Sequence, residues 1–181
     1  MGVIDQFYFQ NPWRKSTNFQ VAPYFDRSIL SQIENWLPEP EILVLTGPRQ
    51  SGKTTILFKL IENLLKQNFP IDSLFFFNCD NFEIQSLFEN VSNFLPFINQ
   101  LNPPAHALIF IDEIQRISNP GIFLKQIFDL KMNSKIIVSG SSSLEIDLKL
   151  KKHWPAEKLY FIFCRSALMK FFIKTNFASN C

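Results

Sequence analysis

The four aliphatic residues Ile42-Leu43-Val44-Leu45 run almost directly into Gly47-Pro48-Arg49-Gln50-Ser51-Gly52-Lys53-Thr54, and beyond them Ile56, Leu57, Leu60, Ile61, Leu64 and Leu65 recur at intervals of three and four. The first run is the pattern of a strand buried on both faces in a parallel sheet, and the last predicts an amphipathic helix over Lys53–Lys66. Few folds accept a buried strand that passes through a glycine-bounded loop into a helix. The strand needs neighbours on both sides, and parallel neighbours need crossover helices.

The loop fits the pattern G-x-x-x-x-G-K-[ST] with a strand before it and a helix after it, the context in which that pattern means phosphate binding. Gly47 and Gly52 permit a tight turn and close backbone approach, so that N–H groups at the helix N-terminus face phosphate oxygens. Lys53 supplies a cation for the β- and γ-phosphates, and Thr54 a hydroxyl for Mg²⁺. The candidate nucleotide-binding residues are therefore Gly47, Pro48, Arg49, Gln50, Ser51, Gly52, Lys53, Thr54 and Thr55. The Arg49 side chain is not needed for the cradle itself; a surface ion pair, a contact to Glu113 and a contact to a partner all remain open for it.

The rest of the chain supplies the neighbours. Residues 1–22 read as an arm packed on the core, with Asn11-Pro12-Trp13-Arg14 as a turn carrying an aromatic anchor, and Pro23 to Trp36 has helical spacing that Pro38 and Pro40 stop. Ser73 to Asn78 predicts a second strand, residues 83 to 101 one or two helices interrupted at Pro96, and Ala107 to Ile111 a third strand. A helix over Ile122 to Leu130 and a fourth strand over Lys135 to Val138 follow. Strands alternating with helices imply an α/β fold, a three-layer sandwich around a parallel sheet.

Asp112 and Glu113 close the third strand at its carboxyl end, where open α/β sheets place their ligands. Asp112 is a candidate Mg²⁺ holder through water, and Glu113, one residue further on, can orient and deprotonate an attacking water. After the fourth strand come Ser139-Gly140-Ser141-Ser142-Ser143; Ser139 and Ser141 are both candidates to hydrogen-bond the γ-phosphate or that water, and Ser142 or Ser143 to cap a helix starting near Leu144. His106 and His153 stand apart from any metal-spaced Cys or acid, so Mg²⁺ carried by the nucleotide is the metal implied. Without an Asn-Lys-x-Asp guanine-reading motif, and with no x-x-Gly after Asp112, ATP is favoured over GTP.

Composition narrows the setting. A length of 181 residues with 46% hydrophobic content suits one domain, and 18 Lys and Arg against 16 Asp and Glu leave a formal charge of +2, too little for general attraction to nucleic acid or an anionic membrane. Cys79, Cys164 and Cys181 are odd in number and lack zinc spacing, which fits a reducing compartment. With no basic and apolar leader and no spanning run of about 20 apolar residues, the expectation is a cytoplasmic protein without a membrane span.

Asn11-Pro12-Trp13, Gly47 to Thr54, Asp112-Glu113-Ile114-Gln115 and Gly140-Ser141-Ser142 together resemble a family of prokaryotic AAA-type P-loop ATPases, over about residues 7 to 150. The resemblance implies an additional-strand ATPase fold with an acidic base and a sensor. Family members continue through a Leu-x-Gly-Arg segment, a fifth strand, a Pro-Leu-Ser-Phe-x-Glu segment and a C-terminal domain of unknown function, none of which is readable here. Read two bases later, codons for Trp154 to Lys158 can give Ala-Gly-Arg-Lys, and those for Cys164 to Lys170 can give Pro-Leu-Ser-Phe-Asn-Glu. The expectation is a frameshift near Lys149 to His153, a fold incomplete at the C-terminus, and loss of an arginine that would stabilise transition-state charge. Leu159 to Phe163 is nevertheless apolar enough to fill a fifth-strand slot, expected beside the fourth strand. The expected organisation is an arm and helix over 1–38, an ATPase core over 39–153 and an irregular tail over 154–181. The expected function is ATP binding with Mg-dependent hydrolysis. Its alternatives are a nucleotide-binding remnant with little turnover, or an ATP-switched protein acting on DNA or another partner, with oligomers possible.

Overall fold

A computed structural model describes residues 2–15, 19–21, 27–101, 103–104, 106–141 and 159–163. The expected helix near Leu144 with its Ser142 or Ser143 cap, the frame change at 149–153, His153, Cys164, Cys181 and the tail apart from 159–163 lie outside the described residues.

The expected β/α alternation is present. Strands β1 (Ile42–Gly47), β2 (Leu74–Asn78), β3 (Ala107–Asp112), β4 (Ser134–Ser141) and β5 (Leu159–Phe163) form one parallel sheet in the order β2-β3-β4-β1-β5. The fourth strand thus inserts between the strand that feeds the glycine loop and the strand that ends in Asp112. Leu159–Phe163 does take a strand position, but its partner is β1, from Ile42↔Leu159 to Thr46↔Phe163. The expected place beside β4 is wrong, because β4 already has β3 on one side and β1 on the other.

Continuous apolar strands are explained by two cores. Val44, Phe75, Phe77, Ile109, Ile111 and Val138 face one, covered by α1 (Val3–Gln10), α4 (Phe82–Leu87), α5 (Val91–Gln100) and α6 (Pro120–Asp129). Leu43, Leu45, Leu74, Phe76, Leu108, Phe110 and Ile137 face the other, covered by α2 (Arg27–Asn35) and α3 (Lys53–Lys66). Alternate residues of each strand serve opposite faces, so both must be apolar.

Three local expectations change. The N-terminal arm contains a helix, α1, which residues 1–22 did not signal. The break in residues 83–101 falls at Phe88–Asn90 instead of Pro96: Asn81 and Asn90 cap α4 and α5 by accepting from Ile84 N and Asn93 N, and Pro96 is carried inside α5. The cap fixes where α5 starts, and burial of Phe94, Phe97 and Ile98 on either side of Pro96 offsets the backbone bond the proline cannot make. Helix α6 begins at Pro120, whose fixed φ and lack of N–H suit a first turn.

Strand β2 is an edge, and the arm seals it. Asn11 Nδ2 donates to Phe76 O at 2.8 Å while Phe76 N donates to Asn11 Oδ1 at 2.8 Å, so one side-chain amide pairs with the backbone as a neighbouring strand would. Gln10 repeats this two residues along, accepting from Asn78 N at 2.7 Å and donating to Asn78 O at 3.3 Å, and Arg14 Nη2 reaches Leu74 O at 3.0 Å. Residues 74, 76 and 78 are the alternate positions whose backbone groups point outward on a parallel edge. Phe7 before this crossing packs in one core and Trp13 after it in the other, both fully buried, so the arm wraps the sheet edge. An exposed edge would invite pairing with another chain.

Two further ties hold the periphery. Lys135 on β4 is buried and donates to Glu39 O at 2.7 Å and Glu41 O at 2.6 Å, pinning the linker into β1; burial pushes its amine down to about 8 against the pull of Glu41 and Glu39. On α3, Glu62 is buried and accepts from Lys59, Lys66 and Val21 N, which joins residue 21 to the helix.

Asn11→Ala leaves the buried Phe76 N–H and carbonyl without partners and should lower stability by about 3 kcal/mol in urea unfolding; an unchanged midpoint would refute the edge seal. For Glu62, burial raises the carboxyl, but hydrogen bonds from Lys59, Lys66 and Val21 outweigh it and bring the group from 4.5 to about 2. A depressed carboxyl contributes stability above its unfolded value and loses it as pH falls toward the folded one. Wild type should therefore lose stability between pH 4.5 and about 2 more steeply than Glu62→Gln; parallel melting curves across that window would contradict this.

Candidate functional site

The carboxyl ends of β1, β3 and β4 meet at one edge of the sheet. The register pairs Asn78 with Asp112, and Ser139 lies one residue beyond the Ile111↔Val138 pair, opposite Leu45. A polar row, Asn78, Asp112 and Ser139, therefore crosses three strands whose preceding residues are apolar.

Asp112 is the centre of this row. It is 1% exposed, and its two oxygens accept from different elements: Oδ2 from Thr54 Oγ1 on α3 at 2.7 Å, and Oδ1 from the buried Ser139 Oγ on β4. Cys79, also buried, packs behind it with its N donating to Asp112 O at 3.0 Å; burial and the neighbouring charges of Asp112, Asp80 and Glu113 push its thiol up and keep it neutral.

The glycine loop closes over the start of α3. Gly52 takes φ 83° at the helix N-cap and Gln50 takes φ 60°, while Gly47 lies within β1. The tight turn expected at Gly47 and Gly52 is therefore made at Gln50 and Gly52, and Gly47 serves as the last strand residue, opposite Ser141. Left-handed residues interspersed in a turn make successive N–H groups line one concavity, here at the positive end of a helix of 14 residues. Lys53, 4% exposed, spends its ammonium on the loop itself: Nζ donates to Gly47 O at 3.0 Å, Pro48 O at 2.8 Å and Ser51 Oγ at 3.4 Å. Pro48, Arg49 and Gln50 are exposed, and Ser51, Thr54 and Thr55 half-buried.

Glu113 leaves β3 in the left-handed conformation, φ 56° and ψ 44°, and caps the 3-10 turn Ile114–Arg116. Its carboxylate accepts from Gln115 Nε2, and Arg116 Nε donates to Asp80 Oδ1 at 2.7 Å. Ser141 is half-buried at the end of β4. The structure thus assembles Thr54, Asp112 and Ser139 directly, with Lys53 at the start of α3, Ser141 opposite Gly47 at the end of β4, and Glu113 next to Asp112 at the start of the turn that follows β3. Sequence reasoning quoted Gln115 in a motif without giving it a role; a Gln two residues from a candidate base, in a turn too tight to part them, was the available signal. His106 is exposed and contacts Asn133 Oδ1 at 2.9 Å, away from this edge.

A family model described as an AAA domain matches residues 39–162, well over half the chain. The chain belongs to this AAA-domain family. Its sequence is 27% identical over 93 residues to the signal recognition particle receptor FtsY of Rickettsia prowazekii, covering 50% of this chain and 30% of that protein. It is also 25% identical over 116 residues to an uncharacterized protein of Haemophilus influenzae, covering 63% of this chain and 28% of that one. The chain thus spans under a third of the length of both relatives. Among solved structures, PCH-2 of C. elegans matches 82% of this AAA-family chain and 46% of its own, with a TM-score of 0.54 at 16% identity, a likeness of fold. No helix among the described residues is long and apolar enough to cross a membrane.

Removing the Ser139 hydroxyl strips one donor from a buried carboxylate. Ser139→Ala should lower stability by about 2 kcal/mol in urea unfolding, the range for hydrogen bonds to charged groups. A variant as stable as wild type would show that Asp112 does not depend on this bond.

Proposed function

We propose that this chain binds Mg·ATP and hydrolyses it in the cytoplasm, as the nucleotide unit of a longer protein that works on a partner and can oligomerise. The observation that carries the reading is the convergence of Thr54, Asp112 and Ser139 beside a Lys53-closed loop at a helix N-terminus. In this reading β- and γ-phosphate oxygens replace the Gly47 and Pro48 carbonyls as acceptors for Lys53, and residues 47–55 wrap the phosphate chain.

Thr54 and Asp112 suit Mg²⁺: both are hard oxygen donors, they lie 2.7 Å apart, and this ion takes few protein ligands, keeping waters and phosphate oxygens. When bound, it supplies positive charge to the β- and γ-phosphates. Thr54 would hold it directly and Asp112 through water, with Ser139 fixing the orientation of Asp112. Glu113 accepts the proton of the attacking water, and Ser141, level with Gly47, senses the γ-phosphate. A formal charge of +2 gives no general pull toward nucleic acid, which favours a protein partner.

Nucleotide binding and single-turnover hydrolysis separate these roles. Lys53→Ala should lose ATP affinity, whereas Glu113→Gln should keep affinity and lose about a hundredfold or more in rate, the scale of general-base catalysis. Wild-type binding without hydrolysis would instead identify a unit of little turnover, and absence of binding would overturn the reading.

A further inference from the structure

The end of the sheet opposite the phosphate loop holds a cavity of about 460 Å³. The linker that precedes β1, the C-terminal part of α6 and the first residues of β4 surround it, and Leu37, Pro40, Ile127, Phe128, Met132 and Ile136 make its wall largely apolar. Ile42, at the amino end of β1, lines it too, whereas Gly47 at the carboxyl end of the same strand belongs to the phosphate loop. The whole length of β1 therefore separates the two places. A concave apolar space of this size with a few polar groups converging on it suits a small molecule.

Lys135 brings a charge to this wall. It lines the cavity, is 3% exposed, and donates to Glu39 O and Glu41 O. An ammonium has three N–H groups, and the third has no acceptor among the described residues. Glu41 and Glu39 pull on the amine through space, yet among the described residues neither carboxylate forms an ion pair with it, and burial outweighs them, bringing it down to about 8. A buried charge is ordinarily paired, because its lost hydration has to be replaced. Lys131 and His106, both exposed, also line the cavity, and Glu39 is the one carboxylate among its described lining residues. The surroundings thus offer an apolar wall, an open N–H on a buried cation, and more basic than acidic side chains.

We propose that this cavity binds a small apolar carboxylate, with its body against Phe128, Met132 and Ile136 and its head accepting the third N–H of Lys135. Both bonds from Lys135 to the linker carbonyls persist in that complex, since the head takes the donor they leave open. The site is distinct from the phosphate loop and stands whether or not the nucleotide reading does.

Octanoate is the probe, titrated calorimetrically into the full chain, with 1-octanol as its neutral counterpart. The expected result is saturable binding, about tenfold or more tighter for octanoate than for octanol, the weight of one charge-assisted hydrogen bond. Met132→Trp fills the cavity without removing a polar contact and should abolish binding of both. Lys135→Met should bring octanoate down to the level of octanol; because it also removes the linker bonds, its fold is checked by circular dichroism, and if it does not fold, Met132→Trp decides. Mg·ATP should leave the octanoate affinity unchanged. Absence of octanoate binding, equal affinity for octanol, or wild-type octanoate affinity in either folded variant overturns the proposal. Displacement of octanoate by Mg·ATP would put the carboxylate in the phosphate loop and overturn it as well.

Discussion

A carboxylate that is 1% exposed can remain in a protein only if its oxygens are satisfied, and the satisfaction of Asp112 organises this molecule. Thr54 comes from the helix after the glycine loop and Ser139 from the strand between β3 and β1. Were β3 and β1 direct neighbours, no strand would stand between them to bring a hydroxyl to the Asp112 side opposite Thr54. The strand order and the site chemistry are in that sense one fact. The loop, the helix dipole and the acidic strand end are each ordinary features, and the hydrogen bonds through Asp112 register them to one another.

The opposite boundary of the sheet is governed by the same rule applied to the backbone. A parallel sheet of few strands has two edges, and β2 would leave alternate N–H and carbonyl groups unpaired. Gln10 and Asn11 act as substitutes for a further strand, and Arg14 covers the carbonyl at Leu74 while its guanidinium lies 4.7 Å from the Phe75 ring centroid. This gives Asn11-Pro12-Trp13 a physical meaning: the Asn pairs with the edge, the Pro starts a turn, and the Trp anchors the chain in the second core.

Much was legible in the sequence because it was local. The helix over Lys53–Lys66, the strand beginning at Ile42 and the strand ending at Asp112 follow from periodicity and from the residues that bound them. The misses have local causes too. The N-terminal helix does carry Val3, Ile4, Phe7 and Tyr8 at intervals of three and four, but eight residues are too short a window for that spacing to stand out; Phe7 is its buried anchor, with Val3 and Tyr8 packed on the same core. Residues 83–101 were divided at the proline because Asn caps compete with Pro as boundary signals, and here the caps prevailed. Gln50 took a turn position that a glycine was expected to fill, since one side chain in the left-handed region is tolerated where a packed helix start requires it.

By itself, then, the sequence determined most of the elements and the phosphate-loop pattern, since each depends on residues within a few positions of one another. Tertiary structure alone decided which elements are neighbours. Ser139 and Asp112 are 27 residues apart in the chain, Thr54 and Asp112 58, and Asn11 and Phe76 65. No periodicity specifies such pairs. They form because two apolar faces must be buried at once, and the strand order that achieves this leaves buried polar atoms that only those distant partners can satisfy.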